Sequence, residues 1–280
     1  MRCAWQAFIN LLPVWMREQV DKQGRESLQE LHLRLGLPPE LVLKNGSVCL
    51  QRSVKPEDLR FCVNMASKYS PWSAQTVAHG FITAPGGHRI GLCGNAIMEN
   101  GSMTGIRSFM SLCLRVARDF PGIAHKAACY QGSILIIGKP GSGKTTLLRD
   151  LIRQRSDTGT GSIAVVDERE EIFPYSMNEL CFPIGLRTDV LSGCGKVQGI
   201  ESVLRSMGPD TIAVDEITAE EDCRALLHAG WCGVKLLATA HAGNRKDLYS
   251  RSVYRPIVDS KLFETLLIMQ PDKSWQAERI

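Results

Sequence analysis

Ile134-Leu135-Ile136-Ile137-Gly138-Lys139-Pro140-Gly141-Ser142-Gly143-Lys144-Thr145-Thr146-Leu147-Leu148 is the most informative stretch of this 280-residue chain. It opens with a short aliphatic run, the pattern of a strand buried on both faces. Gly138 through Thr145 then fit G-x-x-x-x-G-K-[ST] at every fixed position, and Leu147, Leu148, Leu151 and Ile152 recur at helical spacing. A glycine-rich turn between a strand and a helix is the setting in which this motif binds phosphate. Glycines let successive backbone N–H groups turn inward around phosphate oxygens, and the helix N-terminus adds roughly half a positive charge. Gly138, Lys139, Pro140, Gly141, Ser142, Gly143, Lys144, Thr145 and Thr146 are therefore the expected ATP-binding residues. Lys144 is expected on the β- and γ-phosphates and the Thr145 hydroxyl on Mg²⁺.

Hydrolysis asks for two further groups, a carboxylate on the metal side and one that orients water. Thr211-Ile212-Ala213-Val214-Asp215-Glu216 supplies both at the end of an apolar strand. Ligands of open α/β sheets bind at that carboxyl edge. Asp215 is the expected metal-side carboxylate and Glu216 the group that polarises water. A second acidic run, Asp167-Glu168-Arg169-Glu170-Glu171, follows the strand Ile163–Val166 and should reach the same edge. Its best candidate is Glu168; its alternative is a solvated loop with Arg169 as an internal partner. Thr239 or His241, at the end of the strand Val234–Thr239, can sense a γ-phosphate through a hydrogen bond.

Outward from this centre, strands alternate with helices, which argues for a mainly parallel sheet with crossover connections. One such helix is expected over Ala219–Ala229, capped by Thr218 with Glu221 three residues on, and stopping at Gly230. The first ~120 residues read differently. Leu31–Leu35 alternates like a half-buried strand, Lys44-Asn45-Gly46-Ser47 marks a hairpin, and Pro56–Ser67 looks helical. A second hairpin runs from Phe81-Ile82-Thr83 through Gly86-Gly87 to His88–Cys93, and Cys3–Met16 reads as one amphipathic helix. The expected organisation is an α+β domain over 1–119 and a phosphate-binding α/β domain over 120–280, with the hinge near Asp119-Phe120-Pro121-Gly122.

Composition narrows the classes. Apolar residues make up 44% and charged residues 22%, ordinary for a globular chain, and no stretch approaches the ~20 apolar residues of a membrane span. The ten cysteines include no C-x-x-C pair, which argues against a zinc ribbon or a thioredoxin-type site, and no secretory signal is evident. Free thiols in a reducing cytoplasm are the economical expectation. The net charge of +4 comes with no run of five like charges and only 6% aromatics, so no nucleic-acid partner is expected. The glycine-rich stretch Leu191–Gly199 is expected to be mobile.

The order phosphate loop, post-strand acidic box, Asp-Glu strand end and strand-end histidine resembles the type II/type IV secretion ATPases. That resemblance implies a RecA-like P-loop core, with Glu216 in the place of the family's catalytic glutamate and His241 in its histidine box. Asp215 stands where many members have Gly, and Asp167-Glu168-Arg169 where they have Glu-Asp-Pro. The N-terminal segments Gly80–Thr83, Gly86–Gly94 and Leu114–Arg118 look like those of the sporulation members of that family, the cytoplasmic ATPases of a mother-cell-to-forespore channel. The resemblance implies a homo-hexamer with ATP at subunit interfaces, docked on the membrane proteins of that channel. It also implies an arginine acting from the neighbouring subunit, with Arg107, Arg115 and Arg118 as the matching region and Arg115 and Arg118 as the catalytic candidates. Two other functions stay open: a RecA-like ATPase that binds or translocates nucleic acid, and a nucleotide-gated scaffold with little hydrolysis. A phosphotransferase acting on a small substrate is a further alternative.

Overall fold

A computed structural model describes residues 1–67, 80–176 and 179–280. The chain forms two compact units, Met1–Asp119 with Pro174–Phe182, and Phe120–Phe173 with Pro183–Ile280.

The first unit starts with helices α1 (Trp5–Asn10), α2 (Val14–Asp21) and the single turn α3 (Gly24–Ser27). The single amphipathic helix expected over Cys3–Met16 is thus two. Pro13 sits at the N-cap of α2, where its missing N–H costs nothing, whereas inside a helix it would have broken the ladder. Strands β1 (Leu28–Arg34), β2 (Glu40–Leu43) and β3 (Gly46–Cys49) follow, then α4 (Pro56–Ser67), β4 (Phe81–Ala84), β5 (His88–Glu99) and β6 (Ser102–Arg115). They make an antiparallel sheet in the order β3-β2-β1-β6-β5-β4. Alternation sorts its faces: Leu31, Leu33, Leu112 and Leu114 are buried in a core with Phe8, Met16, Leu59 and Val63 of the helices. Glu30, His32 and Arg34, the alternate residues of β1, lie on the opposite face.

His88 is fully buried in this unit. Its Nε2 donates to the Ala4 carbonyl at 3.0 Å, and its Nδ1 accepts from the Ala117 N–H at 3.0 Å. That pattern requires the neutral ring, because a proton on Nδ1 would face the Ala117 N–H donor. Burial is the largest cause of a pKa lowered to about 4. Between about 4 and the ordinary ~6.5 only the unfolded chain takes up this proton, so stability falls as pH drops through that window. The expected slope from His88 alone is about 1.4 kcal/mol per pH unit. Urea midpoints at pH 7 and pH 5 should fall further apart in wild type than in His88→Gln; equal gaps would remove His88 as the cause.

The second unit carries β7 (Ile134–Ile137), α5 (Lys144–Thr158) and β8 (Ile163–Asp167). The chain then returns to the first unit for the short antiparallel pair β9 (Tyr175–Ser176) and β10 (Glu179–Leu180). Back in the second unit follow β11 (Thr188–Ser192), α6 (Lys196–Ser206), β12 (Thr211–Ile217), α7 (Glu220–Trp231), β13 (Lys235–Ala240), α8 (Arg245–Ser250), α9 (Arg255–Asp259), β14 (Thr265–Met269) and β15 (Trp275–Arg279). The sheet order is β11-β8-β12-β13-β7-β14-β15, parallel throughout except for the β14–β15 pair. This is the expected mainly parallel sheet. Every residue of β7, β8 and β14 is buried, as strands covered on both faces must be. Leu135, Ile137, Ala164, Val166, Ile212 and Val214 pack with Ile200 and Leu226 of α6 and α7. Helix α5 packs over β7, β12 and β13 and lies outside that cluster.

Asp150 of α5 ties the entering segment down. It accepts from the N–H groups of Gly122 (3.1 Å) and Ala124 (2.7 Å), and from Arg153 and Gln154. Burial pushes its pKa up, but these four donors outweigh burial and hold the carboxyl below its ordinary range.

Three local expectations change. The residue before α7 is Ala219, and the carboxylate that reaches back is Asp222, not Glu221; it accepts from the Thr218 and Ala219 N–H groups and the Thr218 hydroxyl. Helix α7 does not stop at Gly230 but runs to Trp231; a Cβ at Gly230 would stand 2.4 Å from the Leu262 Cδ1, so the glycine lets that side chain pack against the helix. Of the stretch Leu191–Gly199, the ends belong to β11 and α6, and only residues 193–195 connect them.

Candidate nucleotide site

The loop between β7 and α5 is built by two constraints. A Cβ on Gly138 would lie 2.5 Å from the Ser142 Oγ and 2.8 Å from the Met269 Cβ, so only glycine lets the loop close on its base. Gly143, the N-cap of α5, has φ 100°, in the left-handed region that turns the next N–H groups inward. Gly138 is buried, Lys139, Pro140 and Gly141 form the exposed tip, and Lys144, Thr145 and Thr146 make the first turn of α5. The Ser142 hydroxyl is buried with no hydrogen-bond partner among the described residues. An orphaned hydroxyl on a loop at a helix N-terminus is what a phosphate oxygen would satisfy.

Strand β12 brings the acids. Its pairing with β13 matches Val214 to Ala238 but Ile217 to Ala240, so one extra residue is inserted at Asp215-Glu216. In a regular strand these neighbours would point to opposite faces; the bulge lets both engage the strand-end cluster. Glu216 takes φ 57°, unusual for a side-chain-bearing residue and worth about 1–3 kcal/mol of strain. Its N–H is satisfied by the Thr239 Oγ1 at 2.8 Å.

The side chains then connect. The Thr145 Oγ1 donates to the Asp215 Oδ2 at 2.6 Å, and the Thr239 hydroxyl donates to the other oxygen. The Lys144 ammonium reaches the Lys139 carbonyl at 3.1 Å and the His241 Nδ1 at 3.0 Å. Since Nδ1 accepts, Nε2 carries the ring proton and donates to the Glu216 Oε1 at 2.7 Å. The other Glu216 oxygen pairs with Arg169 at 2.7 Å. Burial lowers the Lys144 pKa, with Asp215 and Glu216 pulling it back up. Sequence reasoning placed Arg169 only as a partner within its own acidic run; the structure joins it to Glu216.

Glu168 lines the same cleft with Asp167, Glu171, Asp215 and Glu216, but its carboxylate is held by the ammonium of Lys196, a buried residue that the sequence reading did not single out. Lys196 also lies 3.7 Å from Asp222. The only advance signal was its place just after the 193–195 turn. Asp167 is the structural member of the acidic run. It accepts from the N–H groups of Glu171, Ile172 and Phe173 at 2.8–2.9 Å, and burial pushes its pKa up to about 6. Arg115 and Arg118 belong to the first unit. Arg115 pairs with Glu30 at 3.1 Å, and Arg118 donates to the carbonyls of Arg25 and Leu28. Arg107 lies on β6.

These donors fit a nucleotide with its metal: an orphaned hydroxyl, a helix N-terminus, a buried ammonium, and a Thr–Asp pair able to ligate Mg²⁺. Among the described residues no helix is long and apolar enough to cross a membrane.

A family model described as sporulation stage III, protein AA, matches residues 6–277. Stage III sporulation protein AA of Bacillus subtilis (strain 168) is 36% identical over 260 residues, covering 89% of this chain and 84% of that protein. The structure of the pilus retraction motor PilT with bound ADP aligns at a TM-score of 0.60 and 17% identity, covering 90% of this chain and 76% of that one. The Legionella pneumophila ATPase DotB aligns at 0.55 and 18%, covering 96% and 80%. At such identities the two structures speak for the fold, a mostly parallel α/β sheet with a separate N-terminal part. The family model spans nearly the whole chain, and the Bacillus relative matches along most of both lengths; the chain belongs to the sporulation stage III protein AA family.

Proposed function

We propose that the chain is a secretion-type ATP hydrolase. The observation that carries this reading is the 2.6 Å contact from the Thr145 Oγ1 to Asp215, which joins the phosphate loop to the acid strand beside the bulged Glu216. Gly138–Thr146 would cradle the triphosphate and Lys144 would neutralise it; Thr145 and Asp215 would hold Mg²⁺, which supplies charge neutralisation across the phosphates. Glu216 orients and deprotonates water, and His241 links it to Lys144, so the acid registers whether the lysine has been claimed by phosphate. The Arg169–Glu216 pair is half exposed on its arginine side and contributes at most about 1 kcal/mol, so it opens readily.

In the fuller proposal the chain works as a hexamer-forming motor for a sporulation transenvelope channel, docked on that channel's membrane proteins, with Arg115 or Arg118 acting from the neighbouring subunit. Engagement of both Glu216 oxygens also favours a second reading, a nucleotide-gated scaffold with little turnover. Light scattering with and without a non-hydrolysable ATP analogue, beside phosphate release across protein concentrations, separates the two. The motor reading expects assembly on nucleotide and a specific activity that rises with concentration. A strict monomer with flat activity would sink it.

A further inference from the structure

The sheet face of the first unit that carries Glu30 and His32 also carries Cys113, and none of these three side chains has a part in the proposed phosphate chemistry. Glu30 and His32 lie two apart on β1 and so share a face. Register sets Cys113 of β6 opposite His32 and Arg115 opposite Glu30. The His32 Nε2 is 3.0 Å from the Glu30 Oε2; the Cys113 Sγ is 3.7 Å from that oxygen and 3.9 Å from the imidazole nitrogen. We propose that Glu30, His32 and Cys113 form a binding site for one zinc-class divalent cation.

Three arguments support it. The first is size. An ion bound tetrahedrally at about 2.0–2.3 Å holds its donor atoms about 3.3–3.8 Å apart, and each of these three separations lies within about 0.3 Å of that range. The second is chemistry. Imidazole, thiolate and carboxylate are the donor types of zinc, and the two anions balance a dication once the thiol has released its proton to solvent. The third is support around the ligands. The Arg115 Nε engages the other Glu30 oxygen at 3.1 Å and so presents Oε2 to the cluster, as outer-shell partners of metal ligands do. On the far side, β5 sets Gly91 opposite Cys113, and a Cβ there would stand 3.8 Å from the Cys113 Cβ. The absent side chain leaves room for water or another donor as the fourth ligand. His32 and Glu30 are 24% and 31% exposed, enough for an ion to enter.

The test uses the full chain, with Co²⁺ as a spectroscopic probe and Zn²⁺ as competitor. One equivalent of Co²⁺ should give a thiolate-to-cobalt band that zinc removes. Cys113→Ser should abolish the band, and His32→Gln should weaken binding at least ~100-fold, beyond what losing an outer-shell partner costs. Cys129→Ser and Cys232→Ser, at exposed thiols of the second unit, should leave it intact. A readout independent of variants is alkylation mapped by mass spectrometry: zinc should slow modification of Cys113 but not of Cys232. A band that survives in Cys113→Ser, or Cys113 alkylated equally fast with and without zinc, overturns the proposal.

Discussion

Glu216→Gln should bind ATP as tightly as wild type, or slightly more tightly, and release phosphate about 10²–10⁴-fold more slowly. The amide keeps the size of the carboxylate and can still accept from the His241 Nε2, so the bulge and the His241–Lys144 link survive. What it loses is the capacity to take a proton from water. It also loses the charge paired with Arg169, a partly exposed contact whose removal costs little stability. Equilibrium binding of a fluorescent ATP analogue and steady-state phosphate release measure the two halves separately. Turnover within a few-fold of wild type would take Glu216 out of its role.

Lys144→Ala should weaken ATP binding by at least about 100-fold. A hydrogen bond to a charged group is worth about 1.5–3 kcal/mol, and this ammonium has two phosphates to serve. Burial already disfavours its charge, and among the described residues a carbonyl and an imidazole nitrogen receive its protons. A triphosphate would exchange these neutral acceptors for anionic ones. The same titration reads the result; an affinity within threefold of wild type would refute the assignment.

The parallel sheet, the glycine-rich turn into α5 and the strand that ends in Asp215-Glu216 were legible in advance because each announces itself locally. Apolar runs mark β7 and β12, and glycines mark the turn. Pro56–Ser67 was read to the residue. What stayed hidden depends on pairing across distance. The bulge at Asp215-Glu216 exists only relative to β13, and the link from Arg169 to Glu216 only because β8 lies beside β12. The pairing of Lys196 with Glu168 needs α6 to start where β8 ends. Glu30, His32 and Cys113 are joined by strand register alone. The cap of α7 was misjudged because Asp222 and Glu221 are chemically alike, and only the helix's starting phase decides between them.

The excursion of Pro174–Phe182 into the first unit bears on any attempt to divide the protein. That segment closes on itself through the Cys181 N–H to the Pro174 carbonyl at 2.9 Å, and it lies so near Gly87 that a Cβ there would stand 3.1 Å from the Pro174 Cγ and 3.2 Å from the Cys181 Cβ. Scission at Asp119 would therefore strip the N-terminal half of a piece that packs against its Gly87 turn and β4, and leave that piece on the other fragment. Neither half is a contiguous run of residues, so faithful dissection would need a graft or a replacement bridge across the gap between Phe173 and Pro183.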